Sequence, residues 1–319
     1  MGTLPDHMDA HVVASVDDAN TSHEGAWLSM QERGTLFGLR LLIWTTMTLG
    51  RGFVRAWLPL IVSYFMITAP GVRGYSRRYL GRLGHAAGTS VVFRHMLRFA
   101  QCLLDRIFLL RGRFEPFAFH SYGREHLREL RSRHRGAILL GAHMGSVEAM
   151  RAMSRECEFA VNVLTYRGNA RKMNTVMREI SSQASTRMIE IDGDDPGFVL
   201  EMKERIEAGE FVAVLGDRVG LTASAAEVEF LGGKARFPTG VYAIAAVLGC
   251  PIYLTFGLHR PPNHYDLYCE PFVDRVELPR TNRDERLREL AQTFAHRLEH
   301  YCKQYPDNWF NFYEFWSTG

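Results

Sequence analysis

The chain has 319 residues, 46% hydrophobic and 23% charged, with 20 Phe, 12 Tyr and 5 Trp; this is material for a sizeable buried core and excludes whole-chain disorder. The formal net charge is only +3, yet residues 31–135 hold 18 Arg, no Lys and five acidic residues, a local +13 that leaves the remainder near −10. Such a segment favours anionic partners: phospholipid headgroups, nucleic acid or an acidic carrier protein.

Residues 1–30 are polar, with Asp6, Asp9, Asp17, Asp18 and Asn20, and read as a flexible tail. They lack the charged-then-apolar order of a signal peptide. From Thr35 to Pro70 the chain is strongly apolar, interrupted at Arg51 and Arg55. Neither half reaches the roughly 18–20 uninterrupted apolar residues of a membrane span. The pattern suits two helices at a membrane interface, with Arg40, Arg51, Arg55, Arg73, Arg77 and Arg78 at headgroups and Trp44 and Trp57 at the boundary. A buried helical hairpin and a single tilted span are the alternatives. Residues 77–110 continue at helical spacing through Leu80, Leu83, Phe93, Met96, Leu103 and Phe108. Residues 31–110 therefore read as a basic, apolar, membrane-associating helical segment ahead of an α/β domain over 111–319.

After Arg135 the texture changes. Apolar runs at 136–142, 159–164, 188–191, 211–215, 251–256 and 265–269 have the length of buried strands. Helical patterns at 198–208, 241–248 and 284–305 alternate with them. That alternation predicts an α/β fold, a mixed central sheet flanked by helices. The five cysteines form no CxxC pair, so neither a zinc ribbon nor a redox motif is indicated.

His143 stands one residue past the first of these strands, and Glu148 follows five residues later. Ser146 between them is suited to cap a new helix, which lets the two side chains converge. A hydroxyl attacking a thioester must lose its proton to a base with a pKa near working pH, and histidine fits. A carboxylate on the far ring nitrogen fixes the tautomer and stabilises the imidazolium. Amides at the start of the new helix are candidates to steady the oxyanion. The spacing alone says little: composition gives roughly one such pair by chance, and the chain has a second, His120 with Glu125. That pair lies in a polar stretch with no buried strand before it and reads as surface structure.

Gly141-Ala-His143-Met-Gly-Ser-Val-Glu148 resembles the HX4D/E block of the lysophospholipid acyltransferase superfamily. More closely, the chain resembles the late acyltransferases of lipid A biosynthesis. Thr165-Tyr-Arg167-Gly-Asn169 is similar to their tyrosine-arginine-proline segment, with Gly168 in place of the proline, and Gly216-Asp217-Arg218 to their aspartate-bearing turn. Phe230–Gly240 and Pro306-Asp-Asn-Trp309-Phe310 follow in the family's order, and the likeness spans roughly residues 30 to 315. The resemblance implies a glycerolipid-acyltransferase-like fold and acyl transfer to a lipid hydroxyl at the cytoplasmic face of the bacterial inner membrane. The donor would be an acyl thioester, acyl carrier protein or coenzyme A, with no other cofactor. His143 would be the general base, Glu148 its orienting partner, and Asp217 a group near the site. Arg218 and Gly168 depart from the usual pattern and suggest a divergent branch, with an aryl polyene, ornithine-lipid or glycerophospholipid acceptor as the alternative.

Arg167 and Arg187 are candidates for phosphate or oxyanion contact, and Lys234 beside Arg236 for a carrier phosphate or headgroup. Trp309 reads as packing. His296 and His300 share a helix face, but no HExxH or ready carboxylate accompanies them, so no metal is expected. A GxSxG elbow, a Walker A loop and a Rossmann glycine pattern do not occur. The aliphatic and aromatic runs among the arginines suit lipid rather than nucleic acid. The rival outside enzymology is a non-catalytic membrane adaptor of the same fold.

Overall fold

A computed structural model describes residues 36–86, 88–157, 159–166, 186–191, 197–219 and 224–316. The expected tail and Arg167 lie outside them.

Helix α1 (Leu36–Thr68) breaks at Gly50, whose φ of 82° and ψ of 165° are open only to glycine. Beyond the break, Val54, Leu58, Val62 and Met66 recur every fourth residue and are buried. The opposite face is apolar too: Trp44, Phe53, Trp57, Leu60, Tyr64 and Ile67 are exposed. Pro70 opens α2 (Pro70–Arg82), where its missing N–H and fixed φ cost nothing. Among the described residues no single helix is long and apolar enough to cross a membrane; Ile43–Thr68 and Pro70–Arg82, bent by 99°, meet that length and composition only as a pair. The helix expected to run unbroken from residue 77 ends at Arg82, and α3 (Thr89–Leu110) starts after a glycine-containing turn.

The α/β part continues with β1 (Ala118–Tyr122), α4 (Arg124–Ser132), β2 (Ala137–Gly141), α5 (Met150–Glu156), β3 (Val161–Tyr166) and β4 (Thr186–Ile191). Then come α6 (Gly197–Glu207), β5 (Phe211–Leu215), the hairpin β6 (Ala225–Phe230) and β7 (Gly233–Pro238), and α7 (Gly240–Leu248). Strands β8 (Ile252–Arg260) and β9 (His264–Val273) precede α8 (Arg283–Gln304). The main sheet has seven strands in the order β1-β9-β8-β2-β5-β3-β4. All neighbours are parallel except β8 and β9. The expected mixed, helix-flanked sheet is what forms.

β2 is paired on both sides, which is why all five of its residues are buried and its sequence is a continuous apolar run. β1 and the β6–β7 hairpin escaped the strand reading. β1 is an edge strand with a half-exposed, polar sequence, and the hairpin alternates exposed and buried residues over a short span.

Candidate active site

The register of two neighbouring strands builds the site. Gly141, the last residue of β2, pairs with Leu215, the last of β5. The ladder runs on as the Gly216 N–H donates to the Gly141 carbonyl at 2.9 Å. Two residues beyond these paired strand ends stand His143 and Asp217. Parallel strands lie about 4.8 Å apart, so side chains leaving both ends at one level meet. The His143 Nδ1 to Asp217 Oδ1 distance is 2.7 Å, and the His143 backbone N–H donates to Asp217 Oδ2 at 3.0 Å. This is the crevice beyond the carboxyl ends of parallel strands, where open α/β sheets place their ligands.

The turn after His143 is pressed against β8. Gly145 has φ +64°, and a Cβ there would lie 2.1 Å from the Gly257 carbonyl oxygen, so only glycine fits. Ser146 N–H donates to that same carbonyl at 2.7 Å, and Gly145 N–H to the Asn308 carbonyl at 2.8 Å. Those two amides are therefore committed inside the fold. Ser146 caps a turn over 147–149, its Oγ accepting from the Ala149 N–H at 3.3 Å, and the helix itself begins at Met150.

Glu148 does not orient His143. Its carboxylate meets Arg106 of α3 at 2.5 Å and accepts from the Ser146 hydroxyl at 3.3 Å. The physical reason is that Glu148 sits in the turn ahead of α5, not on a helix facing back toward the strand end, and the α3 guanidinium is there to pair it. The orienting carboxylate is Asp217. Burial works against its charge, but His143 and Arg218 outweigh burial and hold it at about pKa 2. Burial first, and Arg218 second, pull His143 below its ordinary value, against the opposing pull of Asp217. Neutral His143 therefore carries its proton on Nδ1 toward the carboxylate, which can only accept. Its Nε2 lone pair has no partner among the described residues, and the side chain is 30% exposed.

A third donor reaches Asp217. Trp309, taken from sequence as packing, gives its indole N–H to Oδ2 at 3.0 Å. Its backbone forms a bridge with Met144, and the Phe310 N–H donates to the His143 carbonyl at 2.9 Å. Arg218 donates to the Phe310 carbonyl at 3.1 Å and lies over the Tyr313 ring, with its charge felt by both His143 and Asp217.

Helix α3 ties the N-terminal helices to this edge. Asp105, fully buried, takes Arg51 Nε at 2.7 Å and the Tyr265 hydroxyl at 3.0 Å. Arg98 faces His259 Nδ1 at 3.0 Å, and since arginine only donates, the His259 proton is on Nε2. Burial, then Arg98, Arg55 and Arg51, push His259 down to about 2. Asn308 holds the His259 backbone through its N–H and carbonyl at 2.8 and 3.1 Å.

Of the remaining candidates, Arg187 lies on β4 opposite Asn162 of β3 in register. Lys234 is on the β6–β7 hairpin, 70% exposed and paired with Glu227 at 2.9 Å, not at the His143 site. His120 is exposed on β1 and Glu125 exposed on α4, as expected for a chance pair.

No curated protein matches the chain. The family model for bacterial lipid A biosynthesis acyltransferases matches residues 110–318, more than half of its length, and takes in both strand ends, the hairpin and the Trp309 segment. The chain is therefore a member of the bacterial lipid A biosynthesis acyltransferase family, an enzyme that transfers acyl groups.

Proposed function

We propose that the chain moves a fatty acyl group from a thioester of acyl carrier protein or coenzyme A to a hydroxyl of a lipid A-type acceptor, with His143 as general base. The observation that carries this reading is the neutral imidazole fixed through Nδ1 on Asp217, its Nε2 unpartnered among the described residues. In the step envisaged, Nε2 takes the acceptor proton as the oxygen attacks the thioester carbon. An oxyanion forms, then collapses as the C–S bond breaks. The proton passes from His143 to the departing thiolate sulfur. Asp217 stabilises the transient imidazolium, and no nucleophile beside His143 suggests an acyl-enzyme. Arg218 and Arg106 place positive charge near His143, suited to the oxyanion. Glu148 enters through Arg106, balancing a charge that bears on the base. Arg167 and Arg187 remain proposed contacts to phosphate or oxyanion, and Lys234 to a headgroup.

The test supplies full-length enzyme with a radiolabelled lauroyl thioester of acyl carrier protein and a detergent-dispersed, partly acylated glucosamine disaccharide. The expected result is acceptor-dependent label in the lipid, lost in His143→Ala. Transfer at the wild-type rate by that variant sinks the reading of His143 as the base. Label appearing only in free fatty acid points to hydrolysis. Transfer only to ornithine lipid or lysophospholipid moves the acceptor to the divergent branch.

We further propose that α1 lies in the cytoplasmic face of the inner membrane. Trp44, Phe53, Trp57, Leu60, Tyr64 and Ile67 form an exposed apolar face along it. A helix apolar on both faces buries one in protein and needs a second apolar medium for the other. Each such side chain contributes about 1.5–3 kcal/mol on full burial, so Trp57→Asp with Leu60→Asp is expected to cut flotation with anionic phospholipid vesicles by about tenfold or more. Unchanged flotation would remove α1 as the anchor.

A further inference from the structure

We propose that Trp309 is a positioning residue for the His143–Asp217 pair and that His95 holds it in place, so the base is set only when α3 is seated on the 308–310 segment. The inference rests on the reading of His143 as the base.

A carboxylate held at one oxygen still swings about its χ2 axis. Asp217 is held at both: Oδ1 by His143 Nδ1, and Oδ2 by the His143 backbone N–H and the Trp309 indole N–H. Trp309 is 1% exposed, its ring walled by Tyr79, Phe230 and Phe315 at 4.8–5.2 Å between centroids. Phe230 and Phe315 offer the indole no lone pair, its hydrogen bond goes to Asp217 rather than to the Tyr79 hydroxyl, and an unpaired buried donor is costly. The indole therefore stays on Asp217.

What keeps Trp309 at that height is its carbonyl. It accepts from His95 Nε2 at 2.9 Å, and a carbonyl only accepts, so the His95 proton is on Nε2. Nδ1 then accepts the Ser76 hydroxyl at 2.8 Å. His95 is fully buried, and burial lowers it to about 4, so it stays neutral in this tautomer at physiological pH. Ser76 of α2, His95 of α3, Trp309, Asp217 and His143 thus form one polar file from the N-terminal helices to the base. Asp307 also faces His95; Cys302 and Tyr313 face Asp217; Arg218 faces both Asp217 and His143, and Arg106 faces His143.

Trp309→Phe keeps most of the ring and removes the donor. Asp217 then bears its charge more fully on His143, which raises the His143 pKa. The expected result is kcat lower by about tenfold, the worth of one hydrogen bond to a charged group, with KM little changed and the acid limb of the rate profile moved to higher pH. His95→Gln, which can donate to the Trp309 carbonyl and accept from Ser76, is expected to keep the wild-type profile, and His95→Leu to reproduce the Trp309→Phe profile. A merely structural role would lower the amount of folded enzyme without moving the profile.

A second readout needs no change at Trp309. In full-length enzyme carrying isotope-labelled tryptophan, the indole proton of Trp309 should move in Asp217→Asn while the other four tryptophans stay put. An unmoved resonance, or a wild-type rate and profile in folded Trp309→Phe, overturns the inference. Full activity of His143→Ala would instead remove the reading beneath it, so the two failures are distinguishable.

Discussion

His143 with Glu148 and His120 with Glu125 share one spacing and live in different physics. His143 follows a strand paired on both sides, and the next strand ends at the same level in an aspartate. His120 is exposed on an edge strand. Its register partner Asp266 is already taken by Arg260 at 2.5 Å and by the Tyr305 hydroxyl at 2.8 Å. The difference teaches that the five-residue spacing does not make the site. Position at the centre of the sheet makes it, because only there does a neighbouring strand end bring a second titratable group to the first.

Substitution at the two histidines gives the largest contrast. His143→Ala is expected to lower acyl transfer by about 10^2 to 10^4, the usual worth of a positioned general base. His120→Ala is expected to leave it unchanged, and equal losses in a radiolabel assay would break the contrast. The next effect concerns which carboxylate serves His143. Residues acting as a unit lose their function once, not twice. The Asp217→Asn and His143→Ala double variant should therefore be about as slow as His143→Ala alone. An additive loss in the double variant would detach Asp217 from the base.

The same contrast shows how much was legible. The β2 and β5 segments are each five residues long and end in one spacer before a polar group: Ala-Ile-Leu-Leu-Gly, then Ala, then His143; Phe-Val-Ala-Val-Leu, then Gly, then Asp217. Two buried parallel strands with the same spacing to a titratable group are a signal, and it was there to read. The pairing of Glu148 with Arg106 was not, because it depends on how α3 lies across the sheet, a tertiary fact with no local period. Trp309 was read as packing for the same reason. Its ring does pack, and nothing in the sequence says where the one polar atom on it points. The hairpin β6–β7 was visible only as a family block, since six-residue strands with mixed faces carry little periodicity.

The smallest effect is a shift along the pH axis. A base must be neutral to act, so the rate rises with pH through the His143 pKa and is flat above it. Burial and then Arg218 hold that pKa below its ordinary 6.5, so the acid limb of wild-type kcat/KM should lie below that pH. Arg218→Gln removes the second of those causes, so the limb moves to higher pH. Asp217 loses one source of stabilisation in that variant, but His143 still donates to it twice, so it stays ionised on the plateau. The plateau is expected to fall as well, because the same guanidinium is proposed to steady the oxyanion, so the limb and the plateau are read separately. Glu148→Gln acts in the opposite sense: Arg106, left unbalanced, lowers His143 further and moves the limb to lower pH. Either route moves the limb down, so the discriminating variant is Glu148→Gln in an Arg106→Gln background: little further shift is expected if Glu148 acts through the arginine, and a further downward shift would show Glu148 acting on His143 directly.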